Sequence, residues 1–248
     1  MSLLAPVAGG CGSDRPQRGE GTVQVVTSTA TLADLVQNAG GRRVEVQSLV
    51  PRFAYPHDWR PGAGTAAALE DADLVVMLGG ELDAWLAAPL ERGGPARELV
   101  LLPQLDPLAD DSHWWQDPVR VQRAVKLVRN ELARVDVDGA GYYEAAAAEY
   151  LERLRRLDDE TGSCLAAVRS ARERIVAQHS GFAYFTDRYG IEIVGPRAGR
   201  GALGRRLWAD TLGPPGSRAE SYLGAFALNL GVIVRALSDG ERSCRPRV

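Results

Sequence analysis

Lysine is almost missing from this sequence: of 29 basic residues only Lys126 is one. The imbalance reads as a coding bias towards GC-rich codons and carries no function by itself. An excess of positive charge is missing too. The net charge of −3 argues against a nucleic-acid binder, which needs a basic surface for phosphates. No run approaches the ~18 apolar residues that a membrane-spanning helix requires. Thiols are few, with Cys11 near the start and Cys164 and Cys244 far along the chain, and no disulfide framework can be inferred from them. What is present is a chain that is 45% hydrophobic and 25% charged, able to bury a core and unlike a disordered polymer. Its length allows one large domain or two small ones.

Histidine is the scarcity that informs most. His57, His113 and His179 are the only three in 248 residues. Each heads a segment that reads as the mouth of a βα unit. Neutral imidazole is the commonest metal ligand among side chains. Three imidazoles and a carboxylate would fill a four-coordinate site for a borderline cation such as zinc. Spacing this wide excludes the helical zinc-protease motif, which needs two histidines four apart. It points to a site assembled between lobes, and such a site should lose affinity below about pH 6 as the imidazoles protonate.

The first residues carry a short apolar patch, Leu3 to Ala8, then Gly9-Gly10-Cys11 and a small, polar stretch to Gly21. A secretory signal needs a basic region and a longer apolar run. Even so, the pattern looks like a bacterial lipoprotein cleavage site with its tether, with Cys11 as the lipid anchor and a start assigned too late. The alternative is a tail with an incidental cysteine.

Strand and helix then alternate. Val23 to Thr27 predicts a strand. Thr31 is expected to start a helix, with Asp34 three residues on in a capping-box-like arrangement, and Gly40-Gly41 to stop it. Val44 to Val50, Asp73 to Leu78 and Glu98 to Leu102 read as further strands, with Ala66 to Ala72 and Leu82 to Leu90 helical. This order implies an α/β fold with a parallel sheet covered by helices on both faces. Ligands of such sheets bind at the carboxyl ends of strands. His57 lies just past one, on the loop Pro51 to Pro61. The Asp117-Pro118 pair starts a helix to about Val135. A longer one should run from Ala140 to about Arg172, with Tyr143, Ala147, Tyr150, Leu154, Leu157, Leu165 and Val168 on one face and an interruption at Gly162. Beyond it come strands at Arg174 to Gln178 and Ile191 to Val194, a helix from Phe182 to Tyr189, a further strand near Leu207, and a last helix from Ala219 to Leu237.

These segments resemble the metal-binding proteins of bacterial zinc and manganese ABC importers, the cluster with two lobes joined by one rigid helix. The resemblance rests on Val25 to Thr29, Ser48 to Pro51, Pro56-His57 with Pro61, Ala72 to Val76, His113 to Pro118, Tyr142-Tyr143, His179 to Phe185, Tyr189-Gly190, Asp210 to Gly213 and Tyr222 to Gly224, all in family order. It implies two lobes with parallel sheets flanked by helices. The expected division is residues 1–21 as signal remnant and tether, 22–138 as N-terminal lobe, 139–172 as linker helix and 173–248 as a shortened C-terminal lobe. It implies His57, His113, His179 and Asp210 as metal ligands, two from each lobe, and no catalysis. Histidine at the third position resembles zinc binders more than manganese binders, so Zn²⁺ is the expected cargo and Mn²⁺ the alternative. The implied partners are an ABC permease with its ATPase and, through the lipid anchor, the outer face of the cytoplasmic membrane.

The chain departs from the pattern twice. Tyr55-Pro56 precedes the first histidine where the family has Asp-Pro. Only thirteen residues separate Pro196 from Asp210, where the family has a long strand-and-helix stretch. A βαβ unit needs ~30 residues, so the C-terminal lobe should lack a strand and its crossover helix and leave a sheet edge unpaired. Gly199 to Gly204 fits G-x-G-x-x-G but lacks the following helix that nucleotide binding needs, and reads as a basic loop. Asp106, Asp110 and Asp111 read as a solvated acidic loop, and Trp114 and Trp115 as packing. Two rival classes stand beside the transport reading: a metallohydrolase using the three histidines with an open fourth position, and an adhesin-like surface lipoprotein.

Overall fold

Four short strands build the first sheet: β1 (Val23–Thr27), β2 (Val44–Ser48), β3 (Leu74–Met77) and β4 (Glu98–Val100). The structure, a computed structural model, describes residues 21–94, 97–108, 111–168, 174–176, 181–194 and 207–247. All pairings in the sheet are parallel and the spatial order is β2-β1-β3-β4. β3 is buried along its whole length, as its unbroken Leu-Val-Val-Met run requires of a strand covered on both faces. The helices between strands are α1 (Ala30–Gly40), α2 (Ala63–Asp71) and α3 (Ala87–Gly93). The single helix expected over Leu82 to Leu90 is divided, with a 3₁₀ turn at Ala84–Leu86 preceding α3.

α1 begins earlier than its sequence suggested. Thr29 is the cap, and its hydroxyl accepts from the Leu32 N–H. Asp34 is engaged elsewhere, since its carboxylate accepts from the backbone N–H of Tyr222, 188 residues away, at 3.0 Å.

α4 (Pro118–Val135) starts where Asp-Pro predicts, with the Asp117 side chain accepting from the Val119 N–H at 2.8 Å. α5 (Ala140–Ala166) follows after one 3₁₀ turn. Its 27 residues span ~40 Å. The expected stripe from Tyr143 to Val168 is buried. The helix runs unbroken through Gly162, whose Cα faces open space, so that glycine causes no interruption. It ends at Ala166, and the remainder of the expected helix to Arg172 lies mostly outside the described residues.

The second sheet is small. β5 (Arg174–Val176) pairs in parallel with β6 (Glu192–Val194), and α6 (Ala183–Tyr189) lies between them, closed by Gly190 in the left-handed conformation at φ 70°. Among the described residues no strand is found near Leu207: residues 207–210 have no regular structure, and 195–206 lie outside the described residues. Asn229 of α7 (Tyr222–Leu237) holds that stretch instead, accepting from the Trp208 N–H and donating to the Trp208 carbonyl, each at 2.7 Å. One amide side chain thus supplies both hydrogen bonds that a strand neighbour would have given.

One hydrophobic cluster runs from β1 and α1 across α4 and α5 to α6 and α7. The last segment of the chain is tied to α5 by a disulfide between Cys164 and Cys244, Cα atoms 6.0 Å apart, a pairing the sequence left open. No helix among the described residues is long and apolar enough to cross a membrane.

Candidate metal centre

The carboxyl ends of β2 and β4 open on the same edge of the first sheet, and each leads into a loop that carries a histidine. His57 lies on the loop after β2. His113 lies on the segment between β4 and α4, directly before a 3₁₀ turn at Trp114–Gln116. Glycine makes room for that segment. Gly80, at φ 79°, lies so close to Ser112 that a Cβ would meet its Oγ at 2.2 Å. The two imidazole rings stack, with centroids 5.5 Å apart.

Asp210 comes from the other side. Its carboxylate is buried between the histidines, with Oδ1 3.2 Å from His113 Nε2 and Oδ2 3.9 Å from His57 Nε2. Ligating atoms of all three residues lie within 4.8 Å of one another. Donors that each bind an ion at ~2.0–2.2 Å in tetrahedral geometry are ~3–4 Å apart, a range that both carboxylate–imidazole distances match. His179, Cys11 and the glycine-rich Gly199 to Gly204 segment lie outside the described residues.

Sequence reasoning missed the groups that orient this trio. Asp111 is not a solvated loop residue. Its Oδ1 accepts from His113 Nδ1 at 2.5 Å and from the His113 backbone N–H at 2.8 Å. This pairing leaves Nε2 as the nitrogen facing Asp210. The loop is itself anchored, because the Tyr184 hydroxyl of α6 donates to the Asp111 carbonyl at 3.0 Å and accepts from the Leu108 N–H at 2.9 Å. Trp115 does more than pack. Its indole N–H and the Gln116 side-chain amide both donate to the carbonyl of Ala209, at 2.7 and 2.9 Å, and so fix the residue beside Asp210. The only local signal for these roles was the aspartate two residues before a histidine. The partners of Trp115 and Gln116 are more than ninety positions away.

Electrostatics follow from this packing. Burial opposes charge on His113, yet the Asp111 and Asp210 carboxylates outweigh it and raise its pKa to about 9. Burial likewise opposes ionisation of Asp111, but its hydrogen bonds with His113 hold the carboxyl below the ordinary range. At Tyr55, burial and the neighbouring Asp210 carboxylate push the phenol well above its usual range. Two negative carboxylates beside a cationic imidazole make a site built for positive charge.

The sequence pattern of zinc-uptake complex component A, periplasmic, matches residues 25–202, a stretch that contains all three histidines and ends before Asp210. A manganese-binding lipoprotein of Halalkalibacterium halodurans is 31% identical over 204 residues, covering 79% of this chain and 68% of that protein. A high-affinity zinc uptake system protein of Bacillus subtilis is 25% identical over 198 residues, covering 71% of this chain and 61% of its own. Among solved structures, the periplasmic zinc-binding protein TroA of Treponema pallidum superposes with a TM-score of 0.78 at 20% identity, over 88% of this chain and 100% of that one. A cadmium-bound periplasmic metal-binding protein of Candidatus Liberibacter asiaticus gives 0.79 at 18%, over 87% and 100%. These likenesses at low identity establish the fold: an α/β chain with parallel strands flanked by helices and one long helix. None of these relatives is named as an enzyme. With the pattern matched over more than half its length, this chain belongs to the zinc-uptake complex component A family.

Proposed function

We propose that this protein captures a divalent transition metal outside the cytoplasmic membrane and delivers it to an ABC permease and its ATPase. The observation that carries the reading is the convergence of His57, His113 and Asp210. His179 is the proposed fourth ligand, and its place within the family pattern supports that assignment. Relatives are named for both manganese and zinc. The donor chemistry favours zinc, because imidazoles suit it better than the harder manganese. The ion is cargo, and a site closed by four protein ligands keeps no position for an activated water. That is the physical argument against a metallohydrolase. Cys11 is the proposed lipid anchor. The Cys164–Cys244 disulfide supports an extracytoplasmic location, since such bonds persist in oxidising compartments.

Metal analysis of protein refolded with zinc and manganese in competition tests the reading. One tight zinc per chain is expected, with His57→Ala and His179→Ala each weakening it by orders of magnitude. Unchanged calorimetric binding in both variants would sink the ligand assignment, and preferential manganese retention would reverse the choice of cargo.

A further inference from the structure

Arg52 belongs to the loop that presents His57, five positions before it. Its Nη1 donates to the carbonyl of Gly213 at 3.3 Å and to the carbonyl of Glu220 at 2.5 Å. Both acceptors lie in the segment that presents Asp210. They are the two ends of one small loop, whose neck is closed by the Gly213 N–H donating to the Ala219 carbonyl at 2.7 Å. The guanidinium therefore spans the neck. Just beyond it, Asp34 of α1 accepts from the Tyr222 N–H.

We propose that Arg52 is a positioning residue of the metal site, coupling the His57 loop to the Asp210 segment so that the His57 Nε2 to Asp210 Oδ2 separation is set before an ion arrives. The proposal rests on the metal-capture reading. Asp210 is held at one end by Trp115 and Gln116 through the Ala209 carbonyl. Arg52 supplies the hold at the other end, three residues beyond it at Gly213. Trp115 and Gln116 belong to the stretch that follows His113, and Arg52 to the loop that carries His57. Each histidine loop thus carries its own grip on the Asp210 segment. Arginine suits this place because its Nη1 holds two N–H donors in fixed directions on a planar guanidinium, one for each carbonyl, whereas the lysine ammonium ends a shorter stem and rotates freely. A site that closes around its ion from a preset geometry loses it slowly, since fewer groups must be ordered on binding.

The test compares Arg52→Ala and Arg52→Lys with the unchanged chain, using zinc and then cobalt as probes. The alanine variant should release zinc about tenfold faster to a competing chelator, the scale expected for loss of an outer support. The visible spectrum of its cobalt form should shift, and backbone amides over residues 210–221 should exchange faster without metal. The lysine variant, able to reach one carbonyl, should recover part of each effect. A chain whose alanine variant keeps the zinc release rate, the cobalt spectrum and the slow exchange at 210–221 does not use Arg52 in this way. If Arg52→Ala does not fold, Arg52→Met, which keeps an unbranched stem and loses the donors, takes its place, and an unshifted cobalt spectrum in that variant overturns the proposal equally. Should the unchanged chain bind neither zinc nor manganese, the metal-capture reading fails by itself, while the exchange data still report whether Arg52 holds the segment.

Discussion

The Asp111 carboxylate holds His113 twice through one oxygen, from the ring Nδ1 at 2.5 Å and from the backbone N–H at 2.8 Å. A carboxylate on the far nitrogen of a metal-binding imidazole fixes its tautomer and raises its basicity. Replacing Asp111 with Ala should weaken zinc affinity ~10–100-fold, with the fold retained. Isothermal titration of the variant checks this, and affinity within twofold of the unchanged chain would show that the pairing is incidental.

The same pairing determines how the metal-free protein responds to pH. The folded pKa of His113, about 9, lies above the ordinary value near 6.5. A raised pKa means the folded state binds its proton more tightly than the unfolded one. The stabilisation is fully present below about pH 6.5 and is lost as pH rises towards 9. Denaturant midpoints of the metal-free protein should therefore fall across that window. Zinc must displace this proton, so its apparent affinity should keep rising to about pH 9 instead of levelling off just above pH 6, as ordinary imidazoles would give. A midpoint that is flat from pH 6.5 to 9 in the metal-free protein would contradict the proton assignment.

Cys164 and Cys244 close a loop of eighty residues that contains β5, α6, β6 and α7. Loss of this constraint through Cys164→Ser should cost up to about 4.5 kcal/mol by the chain-entropy relation. The loss should appear first as faster amide exchange in the chain after α7. Equal unfolding midpoints for oxidised and reduced protein would show that the bond adds nothing.

α5 packs along α4 and α1 and reaches α7, and a single hydrophobic cluster crosses all of them. Hinge opening would have to break that cluster. Solution scattering curves of the metal-free and zinc-loaded forms should nearly superimpose, and a large change in radius of gyration would show instead that the lobes move about a flexible joint.

Much of this molecule is written locally. The alternation of apolar runs and helical stripes marks β1 to β4 and the helices between them, because period and turn chemistry act within a few residues. Asp117-Pro118 starts α4 at the expected residue for the same reason. The three histidines mark loop positions, and two of them lie on loops at the carboxyl edge of the first sheet. What the sequence could not fix are pairings across long separations. Thr31 was expected to start the helix with Asp34 as its capping-box partner, but Thr29 caps it and Asp34 proves to be the acceptor for Tyr222. A strand was expected near Leu207, but residues 207–210 have no regular structure and Asn229 satisfies the backbone of Trp208. Asp111 read as a solvated acid until folding placed its carboxylate against His113 and its carbonyl under the Tyr184 hydroxyl. The partnership of Cys164 with Cys244 and the clasp of Arg52 on Gly213 and Glu220 belong to the tertiary structure alone, while the approach of Asp210 to His57 and His113 was implied by the family resemblance and by no local pattern. Each joins residues from about 80 to 170 positions apart, and no local pattern encodes which distant backbone will pass within 3 Å of a given side chain.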